Sequence, residues 1–206
     1  MSTNKEMLAR LLEEEEGKRN IAYQDSEGNW TIGIGHLLDA QTDAELAILG
    51  LEDDLDDWTG FAITDAQVYQ LLDHDIEETL SRLRNAFDDS LLDALDPQRY
   101  MSVFQMCYQI GSVTGFPAFC NAVREGDWDR ASKEMLYRDG TKCEVHSRWY
   151  KQTPKRCQRM ADLMRQGALA TPSPASYGSI PAPYAEKLAA ARAALDELEA
   201  ELKIGE

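Results

Sequence analysis

The first hydrophobic positions of the chain follow the i, i+3, i+4 pattern of one helix face: Met7, Leu8, Leu11 and Leu12. An acidic run, Glu13 to Glu16, continues the helical segment until Gly17, and glycine is the residue type favoured just beyond the end of a helix. The pattern therefore predicts a first helix that ends at about Glu16.

The period of the pattern then changes from helical to alternating. Residues 22–24 and 29–36 form two short runs with aromatic and β-branched side chains, and the turn-forming segment 25–28 separates them. This arrangement predicts a β-hairpin. On the second strand the two isoleucines share one face, whereas Thr31 and the two glycines share the other, where the missing side chains let a ligand approach the backbone.

A long helix is predicted in the middle of the chain. Hydrophobic residues from Val68 to Leu83 recur at spacings of three and four, and Thr64 with Gln67 forms a capping box at the start. Between the hairpin and this helix lies an acidic insert, from Asp39 to Phe61. Helical periodicity then persists in five further segments: 91–95, 100–110, 119–124, 128–137 and 153–165. These patterns predict an α+β fold, mostly helical, in which the long helix joins a small N-terminal lobe with the β-hairpin to a larger all-α C-terminal lobe.

The last part of the chain has a different composition. Four of the seven prolines lie between Thr171 and Tyr184 among small residues, which is typical of a semi-extended linker. The helix that follows has a heptad-like seam, and it either folds back onto the domain or makes the protein a weak oligomer rather than a monomer. The predicted organisation is a compact domain 1–170 (N-terminal lobe at about 14–63, linking helix at about 64–84, helical lobe at about 85–170), a linker 171–184 and a C-terminal helix 185–206.

Composition and charge exclude several classes of protein. The 206 residues carry a net charge of −16, and no apolar run is long enough to span a bilayer. Residues 1–98 hold 6 basic and 24 acidic side chains (−18), residues 99–165 hold 12 and 7 (+5), and residues 166–206 hold 3 and 6 (−3). The overall acidity argues against a nucleic-acid binder, which needs basic side chains to neutralise phosphates. The basic segment indicates either a surface that meets another anionic polymer or a chance clustering of charges.

The N-terminus and the cysteines bear on the cellular compartment. Residues 1–6 are polar and lack the positive and apolar regions of a secretory signal, so we expect synthesis in a cytoplasm. The four cysteines lack the paired spacing of a zinc site, and we expect mostly free thiols that can pair only in an oxidising compartment: Cys107, Cys120, Cys143 and Cys157.

Two carboxyl groups stand in different local settings. Glu16 ends the predicted first helix, where the negative end of the helix dipole and the neighbouring carboxylates disfavour a further negative charge. Asp25 lies in the predicted turn, close to backbone N–H groups that favour its ionised form. Glycoside hydrolysis needs one carboxylic acid to protonate the leaving oxygen and one carboxylate to assist water or attack the anomeric carbon. Thr31, across the hairpin, carries a hydroxyl that can position a water.

The same residues have simpler explanations. A run of four glutamates at a helix end is usually a solvated face, and helical periodicity places Glu15 nearer the apolar stripe than Glu16. An aspartate in a turn is ordinarily a turn former. The residue types alone leave these alternatives open.

The spacing of these residues resembles a known catalytic segment. Glu16-Gly17, Tyr23, Asp25, Glu27-Gly28 and the run Thr31 to Leu38 match, in identity and spacing, the catalytic segment of the phage-type lysozymes, or endolysins, of glycoside hydrolase family 24, in particular its T-even branch. The similarity continues through the capped helix at Thr64, through Val103 to Gly111 and through Ser147 to Arg156.

The resemblance implies a lysozyme-like fold with the substrate cleft between two lobes, and it implies a role for each of four residues. Glu16, rather than Glu15, is the implied proton donor, Asp25 the second carboxylate and Thr31 the residue that holds the water, in an inverting mechanism. Arg156 matches the family arginine that pairs with the catalytic glutamate.

Other matched positions have implied supporting roles. His36 and Asp75 correspond to a buried ion pair of the family, so we expect His36 to be structural rather than catalytic. Leu37, Tyr108 and Gln109 match cleft positions that contact the sugar chain, where an aromatic ring can stack on a pyranose.

The two remaining histidines, His74 and His146, are expected to be isolated surface residues, and neither a metal nor a cofactor is implied. The resemblance implies a peptidoglycan muramidase for host lysis that waits in the host cytoplasm and reaches the wall through a holin-type pore. The alternative is a muramidase-like module kept for wall binding or scaffolding, although such a module does not need Glu16, Asp25 and Thr31 together. The acidic insert, the residues around 139–145 and those after 170 lack counterparts in the simplest family members.

Overall fold

The computed structural model describes residues 2–25, 27–138 and 142–167, so the predicted linker and C-terminal helix lie outside the described residues, as do Ser26 and residues 139–141. The elements are α1 (Ser2–Glu16), β1 (Arg19–Gln24), β2 (Trp30–Gly33), β3 (His36–Leu37), α2 (Asp43–Leu49), α3 (Asp65–Ala86), α4 (Asp89–Ala94), α5 (Pro97–Ile110), α6 (Pro117–Glu125), α7 (Trp128–Leu136), α8 (Arg148–Gln152) and α9 (Pro154–Gln166). The predicted α+β, mostly helical fold class is confirmed. Within α3 the chain divides into a first compact unit that ends at Ile76 and a second that starts at Glu77.

The first helix ends where the sequence predicts. Leu8 and Leu12 are fully buried, so the apolar stripe of α1 faces the core of the first unit. Gly17 adopts a φ of +72° and donates its N–H to the carbonyl of Glu13 at 3.0 Å, which satisfies one of the last carbonyls of the helix. Glu16 is therefore the last residue of α1, and the chain turns directly after it.

The small sheet has three antiparallel strands in the order β1-β2-β3 instead of the two predicted. Thr31 of β2 pairs with Leu37 of β3. The prediction of a single second strand over residues 29–36 is wrong because Gly33 and Gly35 adopt φ values of +66° and +79°, which reverse the chain after β2. The sequence pattern hid this turn, since glycine fits an extended strand as well as a left-handed bend.

The acidic insert contains a helix, α2, that the sequence analysis missed. Its first turn is closed by a capping box: the Thr42 N–H donates to the Glu45 carboxylate at 2.6 Å, and the Glu45 N–H donates to the Thr42 hydroxyl at 3.3 Å. Gly50 ends the helix in the left-handed conformation. The Thr-x-x-Glu spacing was the available signal for this helix.

The long helix α3 begins at the predicted capping box. The Thr64 N–H donates to Gln67 Oε1 at 2.9 Å, and the Gln67 N–H donates to the Thr64 hydroxyl at 3.3 Å. The Gln67 amide also donates to the Ile48 carbonyl at 2.9 Å, which ties α2 to the start of α3. This bond joins the end of α2 to the first turn of α3.

The second unit is helical, as predicted. Its core includes Phe104, Phe119, Trp149 and Met160, all almost completely buried. The segment Arg148–Gln152, which no periodicity indicated, forms the short helix α8. Its N-cap is Ser147, whose hydroxyl accepts the Tyr150 N–H at 3.0 Å. Among the described residues, no helix is both long enough and apolar enough to cross a membrane.

Candidate active site

Glu16 lies against the backbone of the turn between β2 and β3. A Cβ atom placed on Gly35 would be 3.2 Å from Glu16 Cγ and 3.5 Å from Glu16 Oε2. Glycine is therefore favoured at position 35 for two reasons, its φ of +79° and the close approach of the glutamate. The end of α1 and the β2–β3 turn together fix where the Glu16 carboxyl group lies.

Asp25 directly follows β1 and is held by three N–H donors. Its Oδ1 accepts the backbone N–H of Glu27 at 2.8 Å and that of Asn29 at 2.9 Å, and its Oδ2 accepts Asn29 Nδ2 at 3.1 Å. Burial acts to raise the pKa of Asp25, but the hydrogen bonds from Asn29 and Glu27, together with the nearby Gly28 N–H, outweigh it, so the pKa is lowered. Asp25 is consequently an anion at neutral pH, as its turn position predicted.

Thr31 is 3% exposed and lies on β2. Its hydroxyl donates to the carbonyl of Asn29 at 3.3 Å. Because a threonine hydroxyl has one proton, this bond leaves only its acceptor lone pairs for another partner. Thr31 can therefore accept a hydrogen bond from a water but has no second proton to donate to it.

Tyr23 is a site residue to which the sequence analysis gave no role. It pairs directly with Thr31 across β1 and β2, and the guanidinium of Arg19 lies 4.2 Å from the centre of its ring. Burial raises the pKa of the Tyr23 phenol, Arg19 lowers it, and the negative charges of Glu16 and Asp25 raise it further. The phenol thus shares one neighbourhood with both carboxyl groups, and its place two residues before Asp25 was the available signal.

Leu37 is 51% exposed on β3, where it pairs with Thr31. Leu37 is thus an exposed apolar side chain next to Thr31, and its contact with a sugar stays a prediction. The structure therefore places Leu37, Thr31, Asp25 and Glu16 around the same small sheet.

His36 forms the ion pair that the resemblance implied. Its Nδ1 lies 2.9 Å from Asp75 Oδ1, and its Nε2 lies 2.9 Å from Gln41 Oε1. Burial lowers the pKa of His36, but the hydrogen bond and charge of Asp75 outweigh it and raise the pKa to about 9. The protonated imidazole donates through both nitrogens and holds the start of β3 against α3.

The same neighbourhood offers a set of possible metal ligands. One ligand atom from each of His36, Glu45 and Asp75 lies within 4.8 Å of the others. A metal ligand must present a lone pair, whereas both nitrogens of His36 carry protons that are already donated to Asp75 and Gln41. This cluster is therefore explained as an ion-pair network, and we assign no metal to it.

The expectation that His74 and His146 are isolated surface residues is wrong. His74 Nε2 lies 3.5 Å from Glu45 Oε1, and the His74 side chain is only 25% exposed. In the second unit, the ring of His146 stacks between Tyr137 and Tyr150, with centroid distances of 4.9 and 3.8 Å. Sequence spacing does not indicate the contact of His74, because Glu45 lies on another element, α2. The stacking of His146 on Tyr137 depends on the isolated β-bridge between these two residues.

The second unit contains the other residues assigned to sugar contacts. Gln109, near the end of α5, accepts hydrogen bonds through Oε1 from the indole N–H of Trp149 and from the Thr153 hydroxyl, the latter at 3.0 Å. These donors orient the amide so that its NH₂ group points away from them. Tyr108 stacks on Phe104, with 6.2 Å between ring centroids.

Arg156 lies in the first turn of α9 and is 9% exposed. A guanidinium that is buried to this extent needs an anionic or carbonyl partner. Its pairing with Glu16 stays a prediction. The first unit thus contains Glu16, Asp25 and Thr31 together with Leu37, His36 and Asp75, and the second unit contains Tyr108, Gln109 and Arg156.

Comparison with known proteins shows the family of this chain. The sequence model of the Phage lysozyme family matches residues 13–155, which is more than half of the chain. Two curated relatives from Dictyostelium discoideum are named probable T4-type lysozyme 1 and 2. The first is 30% identical over 168 residues, covering 77% of this chain and 94% of the relative. The second is 28% identical over 171 residues, covering 79% and 95%.

A third relative is the pre-baseplate central spike protein Gp5 of Enterobacteria phage T4. It is 29% identical over 170 residues, which cover 79% of this chain but only 28% of that protein. The similarity to lysozymes therefore extends over the whole segment that carries Glu16, Asp25 and Thr31. The chain belongs to the phage lysozyme family.

Proposed function

We propose that this lysozyme hydrolyses the β-1,4 bond between N-acetylmuramic acid and N-acetylglucosamine in bacterial peptidoglycan. Glu16 is the proton donor, and Asp25 and Thr31 hold the attacking water. The observation that carries the proposal is that Asn29 binds both an ionised Asp25 and the Thr31 hydroxyl, whose proton is already donated. No cofactor is needed, since proton transfer and water attack are sufficient for this reaction.

The hydrogen-bonding capacity of the site determines how a water would be oriented. Asp25 is ionised and accepts only, and the Thr31 proton is already donated to the Asn29 carbonyl. A water held between the two groups must therefore donate both of its protons to them. Its oxygen lone pair then points away from both groups and is free to attack the anomeric carbon.

The reaction balances with these groups alone. The water oxygen forms a bond to C1 of the muramic acid as the bond from C1 to the bridging oxygen breaks. Glu16 delivers its proton to the leaving oxygen, and Asp25 takes a proton from the water. Attack from the side opposite the leaving group inverts the anomeric centre, which is the outcome for carboxyl groups separated by roughly 6.5–9.5 Å with a water between them.

The deciding experiment measures clearing of purified peptidoglycan by the wild type and by Glu16→Gln, with the new reducing ends identified by mass spectrometry. We expect the wild type to release muramic acid reducing ends and Glu16→Gln to lose at least roughly a thousandfold in rate. Glu14→Gln is the matched control, since Glu14 lies on the same helix and pairs with Arg10 at 3.1 Å.

Equal clearing by the wild type and Glu16→Gln would contradict the mechanism. Wild-type protein that binds the wall without releasing sugars would instead support the alternative, a lysozyme-like module for binding or scaffolding. Replacement of Thr31 by glutamate tests inversion, because a carboxylate at that position can occupy the site of the water and change the anomer released.

We further propose that the protein serves host lysis, waits in the host cytoplasm and needs a holin-type pore to reach the wall. Expression in a bacterium with and without a pore-forming protein tests this role. Lysis only when the pore is present is the expected result. Lysis by the enzyme alone would contradict the requirement for a pore.

A further inference from the structure

Asn29 connects the two groups that hold the water, and neither the residue types nor the family match assigned it a role. It lies in the turn just before β2, and three of its polar groups are used within this turn. Its N–H and Nδ2 donate to Asp25, and its carbonyl accepts both the Asp25 N–H at 2.9 Å and the Thr31 hydroxyl at 3.3 Å.

Three N–H groups donate to the Asp25 carboxylate, and the one that belongs to a side chain is the amide of Asn29. The Glu27 and Asn29 backbone N–H groups both bind Oδ1, whereas Asn29 Nδ2 binds Oδ2 at 3.1 Å. With one oxygen fixed by the backbone and the other by the amide, rotation of the carboxylate about its terminal bond is restrained. The lone pairs of Oδ2 that the amide leaves unused have a defined direction.

On the side of Thr31, the Asn29 carbonyl sets the direction of the hydroxyl proton. Without an acceptor at that position, the hydroxyl can rotate and donate to the water, which then no longer donates to Thr31. One residue thus fixes both acceptors to which the attacking water must donate.

We propose that Asn29 is a positioning residue that orients the attacking water, its side-chain amide through Asp25 and its backbone carbonyl through Thr31. This inference rests on the proposed function, because it concerns the same hydrolytic water. It extends that function, since it predicts that the amide of a turn residue that does not touch the reacting atoms controls the rate and its dependence on pH.

The test substitutes Asn29→Ala, which removes the amide and leaves the backbone N–H and carbonyl in place. We expect kcat on peptidoglycan to fall roughly tenfold, as for one lost hydrogen bond to a charged group, with KM unchanged. The acid limb of the pH profile should move to higher pH, because the Asp25 anion loses a donor. Other charged or titratable groups close to this site include Arg19, Tyr23, Glu16 and Glu27, and the substitution leaves them in place.

A second readout does not depend on activity. The titration of the Asp25 carboxyl carbon, followed by NMR, should move to higher pH in Asn29→Ala. The isosteric variant Asn29→Asp should move it further, because it puts a negative charge where the amide donor was. Asn29→Asp also keeps the test decisive if the alanine variant is poorly folded, since it preserves the shape of the side chain.

The matched control is Asn20→Ala, which makes the same change on the same sheet. Asn20 Nδ2 donates to Asp65 Oδ1 at 2.8 Å, a carboxylate without an assigned part in the reaction. Removal of the Asn20 amide should leave the pH profile and the Asp25 titration unchanged. An unchanged Asp25 titration or an unchanged kcat in Asn29→Ala would overturn the inference. Equal rates for the wild type and Glu16→Gln would instead overturn the proposed function, while the NMR result still reports on Asn29.

Discussion

At the scale of single residues, the direction of one hydroxyl proton determines what Thr31 can do. The hydroxyl donates to the Asn29 carbonyl and is otherwise an acceptor. Serine retains that hydroxyl, whereas valine keeps the shape of the side chain and removes it. Comparison of these two variants therefore separates the chemistry of Thr31 from its packing.

We predict that Thr31→Val lowers kcat on peptidoglycan about a hundredfold, because the water loses one of its two acceptors. Thr31→Ser should retain most of the activity. Both rates are measured with purified wall and with folding checked by circular dichroism. A valine variant as active as the serine variant would exclude a role for this hydroxyl.

Gly35 determines whether Glu16 can occupy its position. Gly35→Ala should lower kcat at least roughly tenfold, because the new Cβ would lie 3.2 Å from Glu16 Cγ and would displace the carboxyl group. The matched control is Gly60→Ala, where φ is +75° but no atom lies within 4 Å of the new Cβ. Both variants should lose about 1 kcal/mol of unfolding free energy from backbone strain.

Activity assays and urea unfolding of the two glycine variants separate strain from displacement. If Gly60→Ala lost activity to the same degree as Gly35→Ala, general strain rather than the position of Glu16 would account for the effect. If neither lost activity, the contact between Gly35 and Glu16 would have no part in the reaction.

His36 gives the stability of the first unit a dependence on pH. Its pKa is raised from 6.5 to about 9 by Asp75, against the effect of burial. Since the folded-state pKa exceeds the unfolded one, this pair stabilises the fold fully below about pH 6.5, and the contribution disappears as the pH rises through about 9.

We predict that the free energy of unfolding falls by about 3 kcal/mol over this window, from the difference between the two pKa values. Urea unfolding at a series of pH values measures it. Asp75→Asn should be less stable at neutral pH, and its stability should change much less across the window. An equally steep loss in Asp75→Asn would assign the dependence to other groups.

At the scale of elements, α2 shows that a short helix depends on its N-terminal cap. It has seven residues, too few for a periodic stripe, and its beginning is defined by the reciprocal bonds of Thr42 and Glu45. Burial raises the pKa of Glu45, but its hydrogen bonds to Thr42 outweigh this and, with the charges of His36 and His74, lower it. The cap of α2 and the ion pair of His36 are thus electrostatically connected.

We predict that Thr42→Ala lowers the free energy of unfolding by about 1 kcal/mol, the usual cost of a lost N-cap. Thr64→Ala, at the equivalent position of α3, is the comparison. It should cost the same or less, because the capping box of α3 is exposed and the long helix has many other contacts. Thermal or urea unfolding measures the loss of stability in the two variants. A much larger loss of stability in Thr64→Ala than in Thr42→Ala would contradict this order.

Sequence periodicity predicted long elements well and short elements poorly. Stripes of three or more turns, as in α1, α3, α5 and α9, were assigned correctly because each turn adds evidence for the same face. The periodicity did not predict the short elements, for a physical reason. α8 and β3 have only five and two residues, and their formation depends on caps and on neighbouring strands. The alternation from Thr31 to His36 is compatible with one strand or with a tight turn, and the fold of the first unit selects the turn.

At the scale of the whole molecule, the uneven charge predicts how the enzyme meets its substrate. The net charge is −16, yet residues 99–165 carry +5. Arg148, Lys151 and Lys155 are exposed on α8 and α9 of the second unit. Bacterial wall polymers are anionic, so these residues should strengthen binding despite the acidity of the chain.

We predict that the inactive Glu16→Gln protein binds purified wall less tightly as the salt concentration rises. In the same protein, the further substitution Lys151→Glu, Lys155→Glu or Arg148→Glu should weaken wall binding several-fold more. Lys133→Glu, on α7, is the matched control for the two lysine variants, because it makes the same change in charge at a lysine that forms an ion pair with Asp129 at 2.6 Å. Sedimentation of wall fragments measures binding. Binding that does not change with salt would refute the electrostatic contribution.

The sequence by itself determined the fold class, the end of α1 at Glu16, the turn at Asp25 and the family. These features depend on residue types and spacings that are local along the chain. Only the tertiary structure decided that Asn29 links Asp25 to Thr31, that Gly35 makes room for Glu16 and that Glu45 lies near His74. The physical reason is that a hydrogen bond has a direction, which the turn conformation and the strand register set and the identity of a residue does not.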